Sequence, residues 1–202
     1  MMLGPEKVWK LRNRPAESIA ALQASLGVSD KICHLLVNRG IDTFEAARDF
    51  FRPHKDLLHD PLLMKGMQAA LDRIDRARKE GEKVMIYGDY DVDGTTSVAI
   101  VYDFFKKYYN RPGSDCVHFY IPHRYNEGYG LSFKGLDEAQ ALGCTLLITL
   151  DCGTKETEKI AYANSLGMDV IVCDHHPPSA PLPPAFALLN PKQEGCPYPF
   201  KE

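Results

Sequence analysis

The chain has 202 residues, 45% of them hydrophobic, and a formal net charge of −3. That apolar content can bury a sizeable core and excludes wholesale disorder, and the length fits one α/β-sized domain with a small appendage. The acidic balance argues against a generic nucleic-acid binder, which is usually basic, and the acids sit late: residues 1–80 hold 14 basic and 11 acidic side chains, residues 81–202 hold 10 and 16.

The opening MMLGPEKVWKLRNRP has no apolar run behind its basic residues and does not read as a secretory signal. No stretch approaches the ~18 apolar residues of a membrane span, so the expected setting is cytoplasmic, away from membranes. Six cysteines (Cys33, Cys116, Cys144, Cys152, Cys173 and Cys196) are widely spaced with no CxxC pair. Reduced core cysteines fit this pattern better than a disulfide framework or a structural zinc site.

Residues 17–52 read as short helices. Ile19, Leu22 and Leu26 form one apolar stripe, and Ile32, Leu35 and Leu36 form a second that Arg39-Gly40 ends. Thr43 caps a third helix through Ala46, Ala47, Phe50 and Phe51, stopped by Pro53. The expectation is a small helical lobe over residues 1–65 and a second domain over 66–202. That domain opens on an amphipathic helix at about 66–80, with Met67, Ala70, Leu71, Ile74 and Ala77 on one face.

Strands and helices then alternate. Strands are expected at 83–87 (KVMIY), 116–121 (CVHFYI), 145–150 (TLLITL) and 169–173 (DVIVC). Helices are expected at 95–109, with Val98, Val101, Tyr102 and Phe105 inward, at 132–142 behind a serine cap, and at 154–166 before Gly167. A turn at 110–114 closes the first of these, and 177–184 (PPSAPLPP) must be an extended loop. The pattern predicts an α/β fold: a mostly parallel sheet with helices on both faces, preceded by the small helical lobe.

Ligands of open α/β sheets bind beyond the carboxyl ends of the strands, and every expected strand here delivers polar, titratable groups to that edge. Gly88-Asp89-Tyr90-Asp91-Val92-Asp93-Gly94 follows KVMIY, and Asp151-Cys152-Gly153 follows TLLITL. Asp174-His175-His176 follows DVIVC, and Pro122-His123-Arg124, then Gly128-Tyr129-Gly130, follow CVHFYI. Asp91 and Asp93, two apart, would point the same way along an extended segment. Three acids in GDYDVDG repel one another unless a cation neutralises them. Carboxylates with imidazoles suit Mn²⁺ or Mg²⁺ rather than the thiolate set of structural zinc, and the loop has no lysine for a Walker-type phosphate site. Singly, each motif has an ordinary structural reading: a turn, a helix cap, a satisfied polar side chain. Together at one edge they point to a metal site.

GDYDVDG, DCG and DHH, each just after a strand, resemble the DHH phosphoesterases. PHRYNEGYGLS at 122–132, LLVNRGID at 35–42 and NPKQEGCPYPFKE near the end resemble the bacterial branch that degrades single-stranded DNA from 5′ to 3′. The resemblance covers essentially the whole chain and implies a two-metal phosphodiesterase in DNA repair and recombination. Asp91 would bind one metal, Asp93 the other, and Asp151 would bridge both. His175 matches the family's metal-binding histidine, and His176 the partner that contacts phosphate. Asp89 would add a ligand or support one. His123 and Arg124 are placed to hold a phosphate, and Tyr125 and Tyr129 either stack on bases or pack in the core. Other branches carry a histidine where this chain has Tyr87. The family pattern adds a further aspartate ligand, a linker helix and a substrate-binding domain beyond this sequence. The expectation is therefore a piece of a longer protein, with weak metal binding and little activity alone. Implied partners are single-stranded DNA, a single-strand-binding protein and a recombination helicase. The alternative is a family member acting on short oligonucleotides, cyclic dinucleotides or pyrophosphate; a non-catalytic nucleic-acid-binding relative should have lost the acids or the histidine pair.

Overall fold

Short apolar runs alternating with amphipathic helices build a five-stranded sheet: β1 (Lys83–Gly88), β2 (Val117–Tyr120), β3 (Cys144–Leu150), β4 (Asp169–Cys173) and β5 (Ala187–Leu189). The computed structural model describes residues 15–109 and 115–201, together with Val8 and Lys10. Seven α-helices lie among the described residues: α1 (Ala16–Leu26), α2 (Asp30–Asn38), α3 (Phe44–Phe51), α4 (Met67–Glu80), α5 (Val92–Tyr108), α6 (Phe133–Ala141) and α7 (Thr157–Ser165). Backbone contacts group the chain into two units, Met1–Leu58 and His59–Glu202.

The first unit holds α1, α2 and α3 around Ile19, Leu22, Cys33, Leu36, Val37 and Ala47. Thr43 Oγ1 accepts the Ala46 N–H at 3.1 Å, as expected of a cap. The stripe expected on α2 is rotated: Ile32 and Leu35 are exposed, and Cys33 and Val37 join Leu36 inside. The run ICHLLV is apolar enough to bury either face, so periodicity alone does not choose between them.

In the second unit the strands pair in the order β2-β1-β3-β4-β5, all parallel. Side chains alternate between faces. Met85, Tyr87, Leu147, Val170 and Val172 pack with Leu136 and Ala139 of α6 and with Ile160 and Ala163 of α7. Val84, Ile86, Leu146, Ile148 and Ile171 pack with Ala70 and Ala77 of α4 and with Val98 and Phe105 of α5. Because both faces are covered, these strands read as continuous apolar runs.

Several boundaries differ from expectation. α5 begins at Val92 rather than at 95, because the Asp91 side chain caps it by accepting the Gly94 N–H at 3.0 Å. α7 begins at Thr157 rather than 154, because the Thr154 N–H is drawn to Asp174 Oδ2 at 2.9 Å. Leu71 of α4 is exposed and Arg73 is buried instead, held by ion pairs to Asp169 (2.5 Å) and Glu82 (2.7 Å). β5 was not expected, being only three residues long; residues 177–184 are irregular as expected. The turn expected at 110–114 lies outside the described residues.

Candidate metal centre

β2 lies on one side of β1 and β3 on the other, so the order of a doubly wound sheet reverses between β1 and β3. A crevice opens at such a point beyond the strands' carboxyl ends. Asp89 and Asp91 leave β1 there, Asp151 leaves β3, and Asp174, His175 and His176 leave β4. A cleft of about 310 Å³ is lined by Asp93, Ser97, Asp151, Cys173, Asp174 and His175.

Glycines bring the first two acids in. A Cβ on Gly88 would lie 2.2 Å from Val98 Cγ2, and one on Gly94 would lie 2.4 Å from the Asp89 carbonyl oxygen. Strand end and helix start therefore cross at backbone contact, which only glycine allows. The crossing places Asp91 at the cap of α5 and Asp93 in its first turn. The two acids are thus not neighbours on an extended segment, as two-residue spacing had implied; the helix begins too early for that. The Gly94 N–H holds the Asp91 carboxyl below its usual range.

Asp151 is the one non-glycine with positive φ among the described residues, at 61°, a conformation that aspartate tolerates better than most side chains. Its N–H donates to the Cys173 carbonyl at 2.9 Å, and its own carbonyl accepts the Tyr129 hydroxyl at 3.2 Å. Burial, then the adjacent Asp91 charge, pushes its carboxyl up to about 6. His175 Nε2 stands 3.1 Å from Asp151 Oδ1. One ligand atom from each of Asp151, His175 and His176 lies within 4.8 Å of the others.

Asp174 organises the histidines. Its Oδ1 accepts the N–H groups of His175 (2.7 Å) and His176 (3.0 Å) and faces His176 Nδ1 at 2.8 Å. Burial opposes its ionisation, but the N–H groups of His176 and Thr154 outweigh burial and hold its carboxyl low. His176 Nε2 lies 3.2 Å from the Tyr129 hydroxyl. Both ring nitrogens of His176 are thus engaged, whereas His175, its side chain half exposed, faces the cleft.

Asp89 is fully buried; its Oδ1 accepts the Gly130 N–H at 3.2 Å and its Oδ2 has no hydrogen-bond partner. A buried carboxylate oxygen left unpaired is costly. Together with the Asp91–Asp151 pair, it makes a donor set of oxygens and imidazoles that fits a hard divalent cation.

His123, Arg124 and Tyr129 lie on the loop after β2, all three at least partly exposed. The Arg124 guanidinium sits 4.5 Å from the Tyr90 ring centroid, and Tyr90 meets Tyr129 edge to face at 6.0 Å. His123 Nδ1 accepts the Tyr125 N–H at 3.3 Å. Tyr125 and Tyr129 are both exposed, so neither is core packing. Tyr87 is fully buried, its hydroxyl bonded to Gly130 O and to Ser132 N–H; it supports the loop from beneath. Sequence reasoning missed Tyr90 as the platform for Arg124, although an aromatic within the acidic loop was in plain view. It also gave no role to Asn190, the first residue of NPKQEGCPYPFKE, whose Nδ2 donates to His176 O at 2.9 Å.

Known proteins resemble this chain in sequence and in fold. The chain is 40% identical over 201 residues to the single-stranded-DNA-specific exonuclease RecJ of Bacillus subtilis, covering 100% of this chain and 25% of that protein. It is 33% identical over 192 residues to RecJ of Escherichia coli, covering 95% and 32%. The chain thus spans about a quarter to a third of the length of these relatives. A crystal structure of exonuclease RecJ bound to manganese matches 68% of this chain and 34% of that one, with TM-score 0.59 and 32% identity. RecJ of Thermus thermophilus in complex with Mn²⁺ matches 90% of this chain and 24% of that one, with TM-score 0.61 and 26% identity. The family model for the DHH family, N-terminal domain, matches residues 83–197, and this chain belongs to the DHH family.

Proposed function

We propose that this cleft is the metal-dependent phosphodiesterase centre of an enzyme that removes nucleotides from the 5′ end of single-stranded DNA. One observation carries the reading. Asp91 and Asp151 crowd at the β1/β3 crevice beside His175, and among the described residues no lysine or arginine forms an ion pair with Asp89, Asp91, Asp93 or Asp151. Further support is that similar proteins are named single-stranded-DNA-specific exonucleases and similar structures hold manganese.

Asp91, Asp93, Asp151 and His175 would hold two divalent cations, manganese or magnesium, with Asp151 shared between them. Such a pair acidifies a water and offsets the charge that gathers on the phosphate oxygens. Asp89 supports the set from within the core and keeps Gly130, and so the loop, against it. His176, oriented through Nδ1 by Asp174, would meet the phosphate with Nε2 in exchange for its contact with the Tyr129 hydroxyl. Arg124, stacked on Tyr90, keeps its N–H edge free to grip a phosphate in bidentate fashion. His123 neighbours that phosphate, and Tyr129 offers a ring to a base.

On this reading the protein works in the cytoplasm, and a single-strand-binding protein and a recombination helicase would supply the strand. Among the described residues no helix is long and apolar enough to cross a membrane. The test is Asp93→Ala in the intact natural protein, assayed on a long 5′-phosphorylated single strand and on a dinucleotide with Mn²⁺. Loss of hydrolysis and a wild-type preference for the long strand are expected. Unaffected turnover would sink the metal assignment, and preference for the dinucleotide would favour the short-substrate alternative.

A further inference from the structure

The loop at 121–132 carries Arg124 and Tyr129, yet the side chain that gathers its two ends is not among those lining the cleft. The Glu127 side chain is only 6% exposed. Its Oε2 accepts the hydroxyls of Tyr120 (2.7 Å) and Ser132 (2.6 Å), and its Oε1 accepts the His123 N–H at 3.0 Å. These three donors belong to the last residue of β2, the start of the loop and its end. Lys134 Nζ, at 3.7 Å and 70% exposed, adds a weak countercharge. Around Glu127 the chain turns tightly, with the Asn126 and Glu127 N–H groups both donating to His123 O. Gly130 comes back at φ 77°, where a Cβ would press to 2.8 Å from Glu156 Oε1. Ser132 also accepts the Gly135 N–H at 3.0 Å and so caps α6.

We propose that Glu127 is the positioning residue of the substrate-binding loop: its carboxylate ties both ends of the loop to β2 and thereby sets where Arg124 and Tyr129 meet a DNA strand. This rests on the reading of Arg124 as a strand-binding group. Charge-assisted hydrogen bonds to hydroxyl and backbone donors are short and strong, and a carboxylate that gathers three of them defines one loop conformation. Without it, Arg124 loses its seat over Tyr90, and Tyr129 loses its approach to His176. The effect should fall on substrate capture, because the groups that bond Glu127 belong to Tyr120, His123 and Ser132 and to none of the proposed metal ligands.

The experiment compares Glu127→Gln, Tyr120→Phe, Arg124→Ala and the Glu127→Gln/Arg124→Ala double variant of the intact natural protein on a 5′-phosphorylated single strand with Mn²⁺. Glu127→Gln should raise KM about tenfold or more, as expected when binding groups shift by about 1 Å, with kcat changing less than about threefold. Tyr120→Phe removes one donor and should raise KM in the same direction by about threefold, which keeps the test open if Glu127→Gln does not fold. Because Glu127 acts partly through Arg124, the double variant should raise KM by clearly less than the product of the two single effects. A raised KM in Arg124→Ala with unchanged KM in both Glu127→Gln and Tyr120→Phe would overturn the proposal alone, as would additive single effects. An unchanged KM in Arg124→Ala would overturn the reading of Arg124 and the proposal with it.

Discussion

Two clusters of charge lie at opposite edges of one sheet, and β4 connects them, beginning at Asp169 in one and passing into Asp174 at the other. At the amino edge Arg73, its side chain 3% exposed, pairs with Glu82 and Asp169; Arg76 reaches Asp169 at 3.1 Å, and the Thr145 hydroxyl bonds Glu82. Each charge there meets its opposite. At the carboxyl edge Asp91 meets Asp151, Asp89 keeps an unpartnered oxygen, and the nearest basic groups are imidazoles. Both clusters take charge out of water, so buried charge alone does not mark a functional site. The difference is the missing countercharge: among the described residues the amino edge is electrically closed, and the carboxyl edge is not.

The strongest way to break this comparison is Asp151→Asn in the intact natural protein. Asparagine tolerates positive φ, so the fold should hold, and losing one of two crowded acids should leave the unfolding temperature unchanged or raise it. Turnover of single-stranded DNA should nevertheless fall about 10³- to 10⁴-fold, roughly 4–5.5 kcal/mol of barrier. A fall in stability without a fall in turnover would make the two clusters alike. Arg73→Met should do the reverse. It leaves Glu82 without its ion-pair partner and Asp169 with Arg76 alone, which costs about 3 kcal/mol by urea unfolding, and what survives should turn over substrate normally.

Metal binding should separate the edges next. Mn²⁺ at about 100 times its dissociation constant should stabilise the protein by ~2.7 kcal/mol, read as a higher unfolding temperature that a chelator reverses. Asp151→Asn should lose that increment and Arg73→Met should keep it. The smallest effect concerns Glu127, whose carboxyl lies at about 2 against an ordinary 4.5; burial opposes its ionisation, and hydrogen bonds from Ser132, His123 and Tyr120 outweigh burial. A depressed carboxyl contributes stability that is complete above its unfolded pKa and is lost as pH falls through the folded one. The stability gap between wild type and Glu127→Gln should therefore narrow from pH 4.5 toward 2; a constant gap would mean that the native carboxyl is unshifted.

Much of the second unit was legible because its strands are buried on both faces. KVMIY, TLLITL and DVIVC cannot be half-exposed, and Gly167 and Ser132 punctuate the helices between them. The acids and histidines were legible for the same reason, since each follows a strand and a parallel sheet sends all strand ends to one edge. Less legible was anything that depends on which groups meet. Two-residue spacing sets Asp93 beside Asp91 on an extended segment, but the capping bond to Gly94 starts the helix earlier. Periodicity gives Leu71 the inward face that Arg73 takes, because the partners of Arg73 lie 9 and 96 residues away in sequence. On α2, an apolar run with two possible faces gave periodicity nothing to choose between.

The sequence by itself determined the α/β class, the parallel sheet, and the gathering of aspartates and histidines at one sheet edge, since periodicity, glycine placement and residue chemistry are local properties. Only the tertiary structure decided what each group touches. It left His175 facing the cleft while Asp174 and Tyr129 engaged both nitrogens of His176. It seated Arg124 on Tyr90, and it buried Glu127 where it holds the loop. Those assignments depend on hydrogen-bond partners brought together by the order of the strands, and no local pattern encodes that order.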